Sequence, residues 1–182
     1  PTISQMVPKE PQFTVLRHPM HNTTAQSKRK QVQQKLWKIA NELRGKMDAN
    51  EFKDYMLGFI FYKYLSEKML SFSNELLKED GVTYTSSVGE EIIEAIKKEA
   101  IAELGYFLKP QHLFSSIANR SGVIVEDLES ILNEIEQSTQ GSESEEDFGD
   151  LFEDLDLNSS KLGKTVEARN TLVQKILQHL NQ

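Results

Sequence analysis

One run, Phe52–Leu70, FKDYMLGFIFYKYLSEKML, limits what this chain can fold into more than any other. Phe52, Tyr55, Met56, Leu57, Phe59, Ile60, Phe61, Tyr62, Tyr64, Leu65, Met69 and Leu70 cover almost every face of a 3.6-residue helix. Such an all-round apolar helix is expected at the centre of a fold, with partners on most sides. Lys63 and Lys68 interrupt it before it reaches the roughly 18 apolar residues that a bilayer requires. It therefore reads as a core helix and not as a membrane span. Asp48 and Glu51 have the spacing of a capping box and set its start.

The flanking sequence continues the helical pattern. Val32, Leu36, Ile39, Ala40 and Leu43 form a narrow stripe, so a first helix is expected from Thr24–Ser27 to Arg44, with Gly45 as its left-handed cap. The central helix is expected to run to Leu77 or Lys78, before Asp80-Gly81 turns the chain. Residues 82–86 read as a loop or at most one small strand. Ser87 with Glu90 reads as a second capping box, opening a helix with Ile92, Ile93, Ile96, Ala100 and Leu104 inward and Gly105 as its stop. Tyr106-Phe107-Leu108 forms a connector too apolar to be left in water. Pro110 suits the first turn of a helix holding Leu113, Phe114, Ile117 and Ala118. A further helix carries Leu128, Ile131, Leu132 and Ile135, and a last one turns Val166, Leu172, Val173, Ile176, Leu177 and Leu180 inward. The fold class is all-α: six or seven helices packed compactly around a buried central helix. Pro8, Pro11 and Pro19 break any element before residue 24, so 1–24 is expected to be a disordered leader and 25–182 the helical domain. Met20 reads as a natural start, which would make residues 1–19 an upstream extension.

The 182 residues suffice for one compact domain, and the absence of cysteine removes disulfides, thiolate nucleophiles and thiolate metal sites. No basic-then-apolar signal peptide opens the chain, and the expected location is the cytoplasm. The net charge of −7 is uneven: residues 1–70 carry +6 and residues 71–182 carry −13. Lys28, Arg29, Lys30, Lys35, Lys38, Arg44 and Lys46 are the candidate DNA contacts. Flexible cations suit phosphate contacts that ignore sequence, and helical spacing puts Lys28, Lys35 and Lys38 near one another. The alternative is an exposed polar face opposite the apolar stripe.

Other constellations are weaker. Asp154, Asp156, Asn158 and Ser160 have calcium-loop spacing, but Ser159 and Thr165 stand where the loop needs Gly and a bidentate Glu. An acidic turn before a helix is the better reading. Leu113–Asn133 mimics a helix-turn-helix, yet its second helix would present Glu126, Asp127, Glu129 and Glu134 to DNA, so a packed helical corner is expected. The acidic run 143–156 could dock on a basic partner, but its Phe148 and Phe152 are more simply tucked onto the core. The four histidines make no ligand pair. The nine glycines include no G-x-G turn, and no Pro-Pro occurs. The chain thus lacks a cofactor-binding turn, assigned metal ligands and a catalytic constellation.

Taken in order, Trp37, Ala40, Leu43-Arg44-Gly45, Asp48, Phe52-Lys53, Tyr55, Leu57-Gly58, Phe61, Tyr64 and Ser66 form a distinctive series. It continues through Gly105-Tyr106-Phe107, Leu113-Phe114, Glu134-Ile135-Glu136, Leu151-Phe152, Asp154 to Asn158, Leu162-Gly163 and Arg169-Asn170. The series resembles the N-terminal helical domain of the modification (M) subunit of type I restriction-modification enzymes. That resemblance implies a parent enzyme that methylates adenine N6 in DNA, with S-adenosylmethionine and the Asn-Pro-Pro-aromatic motif held in a domain downstream. It also implies assembly with double-stranded DNA, a specificity subunit and a second M subunit, which a restriction subunit can join. The chain itself is expected to be an inactive clamp and assembly domain. Two other classes stand beside this: a free-standing helical adaptor using its acidic C-terminal third, and a small helix-turn-helix regulator.

Overall fold

The computed structural model describes residues 22–182, so the expected leader lies outside the described residues except at its end, where Asn22 already begins a helix. Seven α-helices follow in order: α1 (Asn22–Leu43), α2 (Ala49–Leu76), α3 (Glu90–Leu104), α4 (Phe114–Ala118), α5 (Val125–Ser138), α6 (Glu145–Phe148) and α7 (Val166–Asn181). Pro110–His112 adds a 3-10 turn, and no strand occurs among the described residues. The described residues fall into two compact units, one ending at Gln34 and one spanning Lys35–Gln182.

Helix α2 begins where the sequence places it. Asp48 Oδ1 accepts from the Asn50 and Glu51 amides at 2.9 and 3.0 Å, and Glu51 Oε2 accepts from the Asp48 amide at 3.0 Å. Orphan first-turn donors are satisfied on both sides of the box. The inward face of α2 carries Tyr55, Met56, Gly58, Phe59, Tyr62, Leu65, Ser66, Met69 and Ser73. The opposite face is not covered. Leu57, Ile60, Phe61 and Tyr64 are exposed, which corrects the expectation of a helix buried on almost every side.

Much of the chain around α2 is irregular, so its backbone polar groups need partners other than helix bonds. Tyrosine hydroxyls supply them. Tyr62 donates to the His112 carbonyl at 2.5 Å and Tyr84 to the Leu108 carbonyl at 2.8 Å, while Tyr106, itself in the connector, donates to the Leu65 carbonyl within α2 at 2.7 Å. Tyr55 donates to the carbonyl of Asp156, and Ser66 Oγ accepts from the Phe114 amide at 2.9 Å. Burial pushes the Tyr62, Tyr84 and Tyr106 phenols far above the usual range; for Tyr62 a hydrogen bond with Ser66 and the charge of Arg120 offset part of this.

The remaining helices follow the apolar pattern with local departures. Helix α3 starts after Gly89, which makes no side-chain cap, so the expected Ser87–Glu90 box does not form; Ile92 faces solvent, and Gly105 takes the left-handed φ of +84° that ends the helix. The helix expected after Pro110 is interrupted at Leu113 and becomes a 3-10 turn plus the short α4. Helix α5 has no cap from its own N-terminal residues. Instead Asn170, from α7, is buried and accepts from both the Ile124 and Val125 amides, at 3.0 and 2.9 Å. Val166 lies exposed at the start of α7 and does not turn inward.

Two glycines set close approaches. A Cβ on Gly58 would lie 2.9 Å from Leu155 Cδ2, and one on Gly163 would lie 2.8 Å from both Ala168 Cβ and the Arg169 amide nitrogen. Arg169 then donates to the Gly163 carbonyl at 3.1 Å. Two glycines of the distinctive residue series are thereby accounted for as packing: Gly58 receives Leu155, and Gly163 receives the α7 turn that carries Asn170.

Candidate functional site

The candidate DNA contacts read from the sequence fall in both units. Lys28, Arg29 and Lys30 are exposed on α1 within the unit that ends at Gln34. In the second unit Lys38, Arg44 and Lys46 are exposed, while Lys35 is half-buried and donates to the backbone carbonyl of Gln182. The Arg44 guanidinium carbon lies 5.8 Å from the ring centroid of Trp37, which is 63% exposed. Helix spacing puts Trp37 and Arg44 on one side at the end of α1, away from the buried Ile39 and Leu43. Val32, expected in the apolar stripe, is exposed. The ion pairs of the described residues use other cations: Lys63 with Glu67, Lys78 with Glu75, Arg120 with Asp127, Lys161 with Glu51 and Lys175 with Glu42. Hydrated, unengaged cations such as Lys38 and Lys46 are the kind that can neutralise phosphate.

The helix-turn-helix mimic is a packed corner. Its second helix, α5, pairs three of its surface carboxylates with neighbours in the chain: Asp127 Oδ2 lies 2.6 Å from Arg120 Nη2, Glu129 accepts from Asn158 at 2.5 Å, and Glu134 Oε2 lies 2.9 Å from His112 Nδ1. Asn119 is held by the Ser115 carbonyl at 2.9 Å. A groove of about 790 Å³ opens between Thr83–Ser86, the Pro110–His112 turn and α5. Its charged side chains are already engaged, Arg120 with Asp127 and Glu134 beside the His112 ring.

The acidic run 143–156 folds back onto the core. Phe148 stacks on Tyr106 at 5.4 Å between centroids, and Phe152, Leu155 and Leu157 are buried. Burial raises the Glu136 carboxyl, a hydrogen bond from the Phe152 amide opposes that rise, and the charge of Asp150 adds to it. The calcium-loop mimic is a turn: Asp156 Oδ1 accepts from the Asn158 amide at 3.0 Å. Among the described residues no group of three His, Cys, Asp or Glu could hold a metal, and no helix is long and apolar enough to cross a membrane.

The surface that sequence reasoning missed is the outer face of α2. Leu57, Ile60, Phe61 and Tyr64 recur at i, i+3, i+4 and i+7, with Lys53 one turn before them and Lys68 one turn after. The signal was present in the sequence, because twelve apolar residues on one helix exceed what a single buried face holds.

Comparison with known proteins fits this architecture. The family model described as "HsdM N-terminal domain" matches residues 32–180. The type I restriction enzyme MpnII methylase subunit of Mycoplasma pneumoniae is 34% identical over 80% of this chain and 29% of its own length. The crystal structure of the type I restriction-modification system methyltransferase subunit from Streptococcus thermophilus superposes with a TM-score of 0.68 at 36% identity, over 83% of this chain and 33% of that one. The chain thus spans about a third of the length of each of these relatives. Resemblance, all-helical fold and family match agree: this chain belongs to the HsdM N-terminal domain family of type I restriction-modification methylase subunits.

Proposed function

We propose that this chain is the N-terminal clamp and assembly domain of a type I methylase subunit whose catalytic domain lies downstream. The observation that carries the reading is the family match over 32–180, made to relatives of which the chain spans about a third. In this reading the parent transfers a methyl group from S-adenosylmethionine to adenine N6 in double-stranded DNA. It works with a specificity subunit and a second methylase subunit in the cytoplasm, and a restriction subunit can join them. The cofactor is not assigned to residues of this chain. That assignment follows from the sequence, whose nine glycines include no G-x-G turn.

Lys28, Arg29, Lys30, Lys35, Lys38, Arg44 and Lys46 supply the clamp's phosphate contacts in this proposal. The test is salt-dependent binding to duplex DNA by the assembled parent. Joint replacement of Lys28, Arg29, Lys30 and Lys35 by Gln is expected to weaken binding to all sequences alike and to flatten the salt dependence. The slope should fall by about 0.9 log units for each phosphate left without its cation. Binding unchanged by that replacement, or lost with sequence preference through Asn119 and Arg120, would sink the clamp assignment and favour a helix-turn-helix regulator. Methyl transfer by the isolated chain would refute its assignment as a non-catalytic domain.

A further inference from the structure

We propose that the outer face of α2 is the seat of the remaining part of the same subunit, an inference that rests on the reading above. Leu57, Ile60, Phe61 and Tyr64 form a continuous apolar row on roughly 10 Å of helix. Their exposure ranges from 40% for Ile60 to 56% for Tyr64. Three of the four are aromatic or β-branched, rigid groups that bury large area at little entropic cost. Rows of this kind on a water-facing helix mark interaction surfaces.

The surrounding charges select among occupants. Lys53 and Lys68 close the two ends of the row, with the Lys68 Nζ 5.9 Å from the Tyr64 ring centroid, and Asp54 and Asp154 stand beside its Phe61 edge. If a second copy packed α2 against α2 in antiparallel fashion, Lys53 of one copy would face Lys68 of the other. Parallel packing would set each lysine against its own equivalent. Both arrangements place like charges at both ends. Duplex DNA fits no better, since four apolar side chains at the centre neutralise no phosphate. The complementary surface is a protein surface, apolar at its centre and carboxylate-bearing at its ends.

Size then decides where that surface comes from. Separate proteins that associate stably bury about 800 Å² on each side, more than one row of four side chains offers. A covalently tethered partner needs far less, because a short linker holds it at millimolar effective concentration. The match to this chain occupies 29% and 33% of the two relatives, so most of such a subunit is tethered polypeptide outside the matched region.

The 182 residues contain no cysteine, so in this chain a single introduced thiol reports on its own site, and in the full-length subunit peptide mapping of the label separates that site from any other thiol. Ile60→Cys and Tyr64→Cys would be labelled with a thiol reagent in the 182-residue chain and in the full-length subunit, with Glu94→Cys on α3 as the reference. The expected result is labelling about tenfold or more slower at both positions in the full-length subunit, with the reference unchanged. Equal rates in the two proteins would overturn the inference. So would slowing that grows with concentration of the isolated chain, or slowing that requires DNA or the specificity subunit. A reading frame that closes at Gln182 would remove the occupant and the inference with it. Methyl transfer to DNA, assayed on the same full-length protein with its specificity subunit, keeps the two ideas apart. A methylating subunit with a reactive stripe sinks only the docking site. A protected stripe in a protein that never methylates sinks only the methylase reading.

Discussion

The two faces of α2 are made of nearly the same residues. One presents Tyr55, Phe59, Tyr62 and Met69, the other Leu57, Ile60, Phe61 and Tyr64, within the same 28-residue helix. Phe59 is fully buried and Phe61 is 41% exposed, although two positions separate them. Composition does not distinguish these faces; the rest of the chain does. The inner face meets Tyr106, Phe114 and Leu155, and its own Tyr55 and Tyr62 donate to the carbonyls of Asp156 and His112, both outside the α-helices. The outer face has apolar groups and cations at either end. Hydrophobicity states that a residue prefers to leave water, whereas burial depends on whether a partner of the right shape is present.

Five experiments would break or sharpen this contrast. The largest effect is expected from the matched pair Phe59→Ala and Phe61→Ala. The first should lower unfolding free energy by about 3–5 kcal/mol through a core cavity, and the second by roughly 1 kcal/mol or less. Equal losses in urea denaturation would mean that both faces are core.

Alkaline unfolding comes next. The raised phenols of Tyr62, Tyr84 and Tyr106 keep their protons in the folded state, while unfolding releases them toward the ordinary value of 10.0. Their contribution is therefore complete below pH 10 and is lost as pH rises beyond it toward the raised values. Denaturation followed against pH should show that fall, and Tyr62→Phe should make it shallower.

Gly58 sits at the border between the faces. Gly58→Val should destabilise by about 1–3 kcal/mol, because the added carbons meet Leu155, which packs closely there. Equilibrium unfolding of the variant measures this, and no loss would show that Leu155 can move aside. At neutral pH, Tyr62→Phe should cost about 1 kcal/mol, since the His112 carbonyl loses its donor. Tyr64→Ser should change the stability of this chain by no more than about 0.5 kcal/mol. A larger loss would mean that the outer face already has a partner within the 182 residues.

How much of this was legible depended on how local the cause is. The Asp48–Glu51 box, the Gly105 stop and the apolar positions of α5 were readable because each is settled within a few residues. The Ser87–Glu90 box failed because Gly89 caps α3 first, and the helix after Pro110 failed because Leu113 turns inward at an extended φ/ψ. Asn170 stands out in the sequence as part of a motif but not as the cap of α5, since its partners lie about 45 residues away. The exposed row on α2 was obscured for the same reason. Which apolar face receives a partner is decided by segments far along the chain, and periodicity contains no information about them. The basic residues were easy to read as cations, but whether they meet DNA depends on molecules outside this chain.

The tyrosine bonds around α2 also carry a timing consequence for a chain made from its N-terminus. The carbonyl that Tyr62 reaches lies 50 residues later, and the one that Tyr55 reaches lies 101 residues later. At translation rates of about 5–20 residues per second, the longer gap lasts roughly 5 to 20 seconds. Throughout that interval the inner face of α2 lacks its full set of partners. A nascent chain stalled before Asp156 should therefore be bound by chaperones, and one that has cleared Asn181 should be released.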